Sequence, residues 1–385
     1  MIKTGIDKIS FYVPGTYLAL DTLAEQHGID PAKFAAGIGQ SKIAVCNHDE
    51  DVVTMAAEAA AAILDIEDRA AIATVLFATE TGIDQSTAAS VYVHKKLDLP
   101  SRCRAVELKH ACYSGTAALQ LACGHVTRKP DRKVLVIASD VSRYDLDSPA
   151  EATQGAGAVA FLVSANPRLL EIEPVSGCYS EDIMDFWRPN YRKTPLVDGK
   201  YSTMKYLGAL SAAWEDYADQ GGRAFNELAQ FCYHIPFTRM AIKAHKQLSH
   251  QNQAQNDPNL YEPGLRYNRE VGNCYAASLY LSLVSMLETA EADLTGRPVG
   301  LFSYGSGAVA EFFAAVPQAD YRAGLLTERH RGLLDDRRAL SYDEYLGLWH
   351  APDPQDGSAT TMRQGARGRF RLAGIEDHKR QYEAV

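Results

Sequence analysis

Gly155–Val163 reads GAGAVAFLV, and Gly305–Phe313 reads GSGAVAEFF. The pattern G-x-G-A-V-A thus recurs 150 residues later. Each copy adjoins an apolar, strand-like stretch. KVLVIASD (Lys133–Asp140) stands upstream of the first, and VGLFSYGSG (Val299–Gly307) leads into the second. A recurring element at the end of each half suggests a duplicated architecture, two similar α/β halves forming one body.

The surrounding sequence supports that reading. Short apolar runs at Ala73–Ala78, Ala105–Lys109, Lys133–Ser139 and Ala158–Ser164 predict buried strands. Longer Ala/Leu-rich stretches at Glu50–Leu64, Asp84–Leu97 and Tyr113–Arg128 predict helices. Strands alternating with helices of this length imply βαβ units. The expected halves are residues 1–165 and 166–385. Ser249–Pro258, SHQNQAQNDP, reads as a surface loop.

Composition narrows the function class. The net charge of −9 offers no footprint for nucleic acid, although a few local cations can still hold a phosphorylated ligand. No apolar run is long enough to span a bilayer, and MIKTGIDKISFYVPG lacks the core of a signal peptide, so a cytoplasmic protein is expected. The seven cysteines are odd in number and include no C-x-x-C pair. A disulfide framework or zinc site is therefore not expected, and no metal is called for.

One cysteine stands apart. In ELKHACYSGTAAL (Glu107–Leu119), Cys112 falls where a strand gives way to small residues and then to a helix. The N–H groups and dipole of a helix start stabilise a thiolate and, on a bound acyl group, an oxyanion. A buried, inert thiol is the plainer alternative. A thiol nucleophile needs proton-transfer partners. Glu80 ends the apolar run of VLFATETGID, where partial burial raises a carboxyl pKa towards that of a useful base; a capping or solvated glutamate is the alternative. His234, in AQFCYHIPFTRM, falls at a strand exit before Pro236, where α/β sites are built, unless it is a core histidine. His110 is a competing base, ranked lower because it lies in the segment leading to Cys112. Asn273 precedes an apolar helix and could cap it or donate to a substrate carbonyl. Ser306, between two glycines, suits a backbone N–H aimed at a ligand or a plain hairpin turn.

With these pieces in order, the chain resembles the thiolase superfamily, and within it the 3-hydroxy-3-methylglutaryl-CoA (HMG-CoA) synthase family. The resemblance runs from GIDPAKFAAGIGQSKIAV to RRALSYDEYLGLW. It rests on ATETGID, ACYSGTAALQLA, EATQGAGAVAFLV, DFWRP, PLVDGKYS, YHIPFTRMAIKA, VGN and LFSYGSGAV, all in order. It implies a five-layered αβαβα fold of two similar halves. It implies that Cys112 accepts an acetyl group from acetyl-CoA, that Glu80 removes a methyl proton, and that His234 orients and polarises acetoacetyl-CoA. Water then releases HMG-CoA. It further implies ligand contacts at Asp30, Thr153, Ser202, Lys243, Asn273 and Ser306, with Tyr144 and Phe186 lining the cavity. CoA thioesters would be the substrates, with no metal or redox cofactor, and a homodimer the usual assembly.

Other readings stay open. ETGID, CYSGTAAL and the tail GRFRLAGIEDHKRQY resemble relatives that install β-branches on polyketides held on an acyl carrier protein. EATQGAGAVA, DFWRP and PLVDGKYS resemble the mevalonate-pathway form. An initiating ketoacyl synthase would also use Cys, His and Asn but would not need Glu80. A non-catalytic scaffold of the same fold would be expected to lack the nucleophile or base.

Overall fold

The computed structural model describes residues 2–352, 354 and 356–385. The first half forms strands β1 (Thr4–Tyr12), β2 (Ile72–Ala78), β3 (Arg104–Leu108), β4 (Lys133–Ser142) and β5 (Gly155–Ala165). The second forms β6 (Leu170–Ser180), β7 (Gln230–Tyr233), β8 (Val299–Gly305) and β9 (Val309–Pro317). Their order is β7-β8-β9-β6-β1-β5-β4-β2-β3. β1 and β6 meet at a short seam, Gly5 and Ile6 against Glu171 and Leu170. Outward from it, each half has two antiparallel pairings and then a parallel one. β1, β5, β4 and β2 therefore correspond to β6, β9, β8 and β7.

The helices repeat as well. α1 (Val52–Ala61) and α2 (Ala89–Lys96) cover the outer face of the first sheet; α4 (Gly199–Asp219) and α5 (Thr238–Gln251) cover that of the second. Between them lie α3 (Ser114–Arg128) and α6 (Ser278–Thr289). α6 is buried on every side from Ser278 to Glu288, as its all-round apolar sequence requires. The result is the five-layered αβαβα arrangement, with strands so enclosed that their apolar runs are nearly continuous.

The repeated glycines mark where the halves touch. A Cβ on Gly155 would lie 2.6 Å from Val271 O and 2.8 Å from Asn273 N. One on Gly305 would lie 2.6 Å from Tyr113 N and 2.7 Å from His110 O. Each motif's first glycine thus lets the turn before the opposite half's central helix approach the strand backbone. The copies differ in their hairpins: β8 and β9 are joined tightly, whereas residues 143–154 separate β4 from β5.

Some boundaries differ from the sequence expectations. α1 starts at Val52, fixed by a capping box between Asp51 and Thr54. α2 starts at Ala89 rather than near Asp84, because the Asp84 carboxylate accepts the N–H groups of Ser86 and Thr87 and holds a turn. Ser249–Gln251 complete α5 before the loop begins. The C-terminal hairpin, β10 (Phe370–Glu376) and β11 (Lys379–Ala384), returns to the first half. There Arg371 pairs with buried Asp49 at 3.0 Å, and the Tyr382 hydroxyl bonds Asp51. Among the described residues, no helix is long and apolar enough to cross a membrane.

Candidate active site

Corresponding strands and helices of the two halves deliver the chemistry. Glu80 follows β2, and His234 follows its counterpart β7. Cys112 precedes α3, and Asn273 precedes its counterpart α6. The two helix-start turns are alike in strain. Ala111 and Tyr275, neither a glycine, both have φ of +42°. Such conformations persist only where their surroundings impose them.

Cys112 Sγ lies 3.1 Å from Glu80 Oε1 and donates to it. Burial, then repulsion from Asp140, pushes the Glu80 carboxyl up to about 8. Asp140 is itself buried and raised to about 6, chiefly by desolvation. One of its oxygens accepts from the Thr79 and Thr81 hydroxyls and the Glu80 and Thr81 N–H groups, all within 2.9 Å. The other accepts Ala276 N–H at 3.0 Å. Asp140 therefore fixes the turn that presents Glu80 and ties it to the second half. Arg188 donates to the Glu80 backbone carbonyl.

The thiolate expected from the helix start is not the resting state. Burial and the Glu80 carboxylate hold the Cys112 pKa well above its ordinary value. Desolvation first, and then the Glu80 charge, oppose the local dipole, so the thiol keeps its proton.

Cys112 borders a cavity of about 460 Å³. His234, Asn273, Ser306, Tyr144, Phe186, Thr153 and Ser202 also line it. His234 is buried, and desolvation lowers its pKa to about 3, so the imidazole is neutral. Its Nδ1 has no hydrogen-bond partner among the described residues, while its carbonyl accepts the Tyr206 hydroxyl at 2.7 Å. Asn273 Oδ1 accepts Tyr275 N–H and the Ser278 hydroxyl, so it caps the turn and leaves its NH2 for the cavity side. Tyr144, Phe186 and Tyr275 pack edge to face, with centroids 5.7 to 6.4 Å apart. The Ser202 hydroxyl is turned to Asp185, which also accepts the Tyr304 hydroxyl and Gly307 N–H. Thr153 Oγ1 donates to the Ala150 carbonyl.

Two predicted contacts lie outside this lining. Lys243 is exposed and stands 5.8 Å over the ring of Phe237, a lining residue. Asp30 caps the helix Pro31–Gly37 by accepting Ala32 N–H. His110 lies against Gly307 and does not line the cavity. Sequence reasoning missed Asp140, Asp185, Tyr206, Tyr275 and Tyr304. Only Asp140 carried a signal, as the acid closing the KVLVIASD run. His27, Asp147 and Glu151 form a cluster that could approach a metal, but the oxygens of buried Glu151 already accept from Asp147 N–H and the Tyr345 hydroxyl.

A half-buried cysteine paired with a carboxylate, facing a neutral histidine and an asparagine amide across a thiolase-like fold, defines an acyl-transferring condensing enzyme. Sequence profiles narrow the class. The hydroxymethylglutaryl-coenzyme A synthase N-terminal profile matches residues 2–168, and the C-terminal profile matches residues 170–266 and 258–350. The chain is 46% identical to the hydroxymethylglutaryl-CoA synthase of Enterococcus faecalis, over 90% of this chain and 91% of that one. It is 34% identical to the polyketide biosynthesis 3-hydroxy-3-methylglutaryl-ACP synthase of Bacillus subtilis (strain 168), over 90% and 87%. A crystal structure of an HMG-CoA synthase complexed with CoA superposes with a TM-score of 0.95, at 39% identity and full coverage of both chains. The chain belongs to the hydroxymethylglutaryl-CoA synthase family and is an acyltransferase.

Proposed function

We propose that this enzyme condenses acetyl-CoA with acetoacetyl-CoA through an acetyl-Cys112 intermediate and hydrolyses the product to HMG-CoA. The observation that carries this reading is the 3.1 Å contact between Cys112 Sγ and Glu80 Oε1 at the edge of the cavity. Sγ attacks the acetyl carbonyl, its proton passes to Glu80 and from there to the departing sulfur, and CoA leaves as the free thiol. Once deprotonated again, Glu80 takes a proton from the acetyl methyl, which the thioester carbonyl acidifies. The carbanion equivalent attacks C3 of acetoacetyl-CoA, leaving protonated Glu80 beside the new alkoxide. A carboxyl raised towards neutrality suits both transfers. His234, neutral and buried, orients and polarises the acceptor carbonyl, and the Asn273 amide supplies a second donor. Water cleaves the remaining thioester. No electron changes hands, so the chemistry calls for neither redox cofactor nor metal.

Lys243 and the helix capped by Asp30 would serve the CoA arm outside the cavity. β3 is an open sheet edge with Val106 exposed, which suits pairing with the same strand of a second copy. A homodimer is the expected assembly. The mevalonate pathway is the expected setting, favoured over polyketide branching by the higher identity to the CoA-dependent relative. Turnover with acetoacetyl-CoA against acetoacetyl-acyl carrier protein tests the reading. Faster turnover of the carrier-bound acceptor would assign the enzyme to the polyketide role.

A further inference from the structure

A second cavity, of about 650 Å³, opens at the far end of the first half. Arg102 and Arg104 line it from the start of β3, Arg128 and Lys129 from the end of α3, and Arg132 from the turn into β4. Asp131 is the single acid among its lining residues. Among the described residues, none of the five cations is placed in an ion pair, although the chain as a whole carries a net charge of −9. In the single chain four are exposed and Arg132 is half-buried; Arg102 and Arg104 stand at the β3 edge that a second copy would cover, whereas Arg128, Lys129 and Arg132 lie off it. His125, one turn back on α3, has a buried Nε2 without a partner among the described residues, and its pKa is lowered by burial and then by Arg104, Lys129, Arg128 and Arg132.

Like charges gathered this closely repel one another, and surface cations ordinarily find acids. A helix C-terminus accounts for only part of the cluster, since its dipole is equivalent to about half a charge. Four guanidinium groups from three elements, converging on a concave space, are suited to bidentate contacts with phosphate oxygens. The volume falls within the range of small-ligand sites. The cleft is separate from the catalytic cavity. α3 runs fifteen residues from beside Cys112 to Arg128, about 22 Å.

We propose that this cleft binds a small soluble molecule bearing a diphosphate or triphosphate group. Because α3 and β3 both lead to Cys112, such a ligand would sit on the elements that carry the nucleophile.

The test uses inorganic pyrophosphate and the full-length enzyme saturated with CoA, so that the catalytic cavity is already filled. Calorimetry is expected to show binding that weakens as salt rises. Arg128→Glu with Arg132→Glu should weaken it by about tenfold or more, since two charge-assisted contacts are reversed. Both positions lie off the open β3 edge. Arg102→Gln alone should weaken it by a smaller factor, and Lys243→Glu should leave it unchanged. Acetylation of Cys112 in each variant, read by intact mass, confirms that the fold is kept. Absence of binding to the CoA-saturated enzyme, or equal binding by the double variant, overturns the proposal. Sedimentation with phosphatidylglycerol vesicles without pyrophosphate binding would also overturn it, assigning the patch to a membrane surface.

Discussion

Cys112 Sγ stands 3.1 Å from Glu80 Oε1, and the thiol rather than the thiolate occupies the resting site. One carboxylate is therefore close enough to serve both half-reactions. The first prediction separates them. Cys112→Ala, incubated with acetyl-CoA, should show no acetyl adduct by intact mass. Glu80→Ala should still acquire the adduct but condense about 10²–10⁴-fold more slowly, the usual loss on removing a general base. Full condensation by Glu80→Ala would place the base elsewhere.

The pH dependence follows from the same pair. Condensation needs Glu80 deprotonated, so its rate should rise as pH passes through about 8. Repulsion from Asp140 is the second cause of that elevation. Asp140→Asn should therefore move the inflection to lower pH, even as loss of the buried carboxylate loosens the Thr79–Thr81 turn and lowers the maximum rate. An inflection that stays in place in this variant would assign it to another group.

The same elevation has a stability consequence. The Glu80 carboxyl titrates near its ordinary value of 4.5 when unfolded and near 8 when folded. Between those values the folded chain holds the proton more tightly, so wild-type stability falls as pH rises, by up to about 1.4 kcal/mol per unit. Glutamine does not titrate. The melting temperature of Glu80→Gln relative to wild type should thus climb from pH 5 to pH 8 and level off above it. A difference that does not vary with pH would show that Glu80 is not raised in the folded protein.

How much of this was legible in sequence depended on distance along the chain. β2, β3, β4 and β5 lay within three residues of their predicted ends, because runs such as VLVIA admit little but a buried strand. Cys112, Glu80 and His234 could be singled out because each stands shortly after a strand stops, and the structure brings Cys112 to Glu80 and into one cavity with His234. Asp140 and Tyr275 were not, because their contacts arise where elements from opposite halves converge, and Asp185 was not, because Ser202, Tyr304 and Gly307 reach it from 17, 119 and 122 positions away. Asp140 joins a turn after β2 to Ala276, ahead of α6, and no local pattern states that contact. The thiolate expectation failed for the same reason. A helix dipole is read from adjacent residues, whereas the thiol is raised by burial in the fold and then by a carboxylate 32 positions away. The G-x-G-A-V-A repeat did announce the duplication, yet the close approaches that require its glycines needed three dimensions.

Those approaches supply the last prediction. A Cβ at residue 305 would lie 2.6 Å from Tyr113 N and 2.7 Å from His110 O, both backbone atoms of the turn that holds Cys112. Flexible side-chain ends could yield; this turn cannot do so without moving Sγ from Glu80 Oε1. Gly305→Ala should therefore cost about 1–3 kcal/mol of stability, the usual range for overpacking, and slow acetylation as well. Gly155→Ala offers the matched comparison, because its Cβ would meet Val271 O and Asn273 N instead. It should destabilise by a similar amount but fall chiefly on condensation, leaving acetylation of Cys112 closer to wild type. Equal loss of both steps in both variants would show that the glycines serve only the general packing between the halves, not the placement of each half's own functional turn.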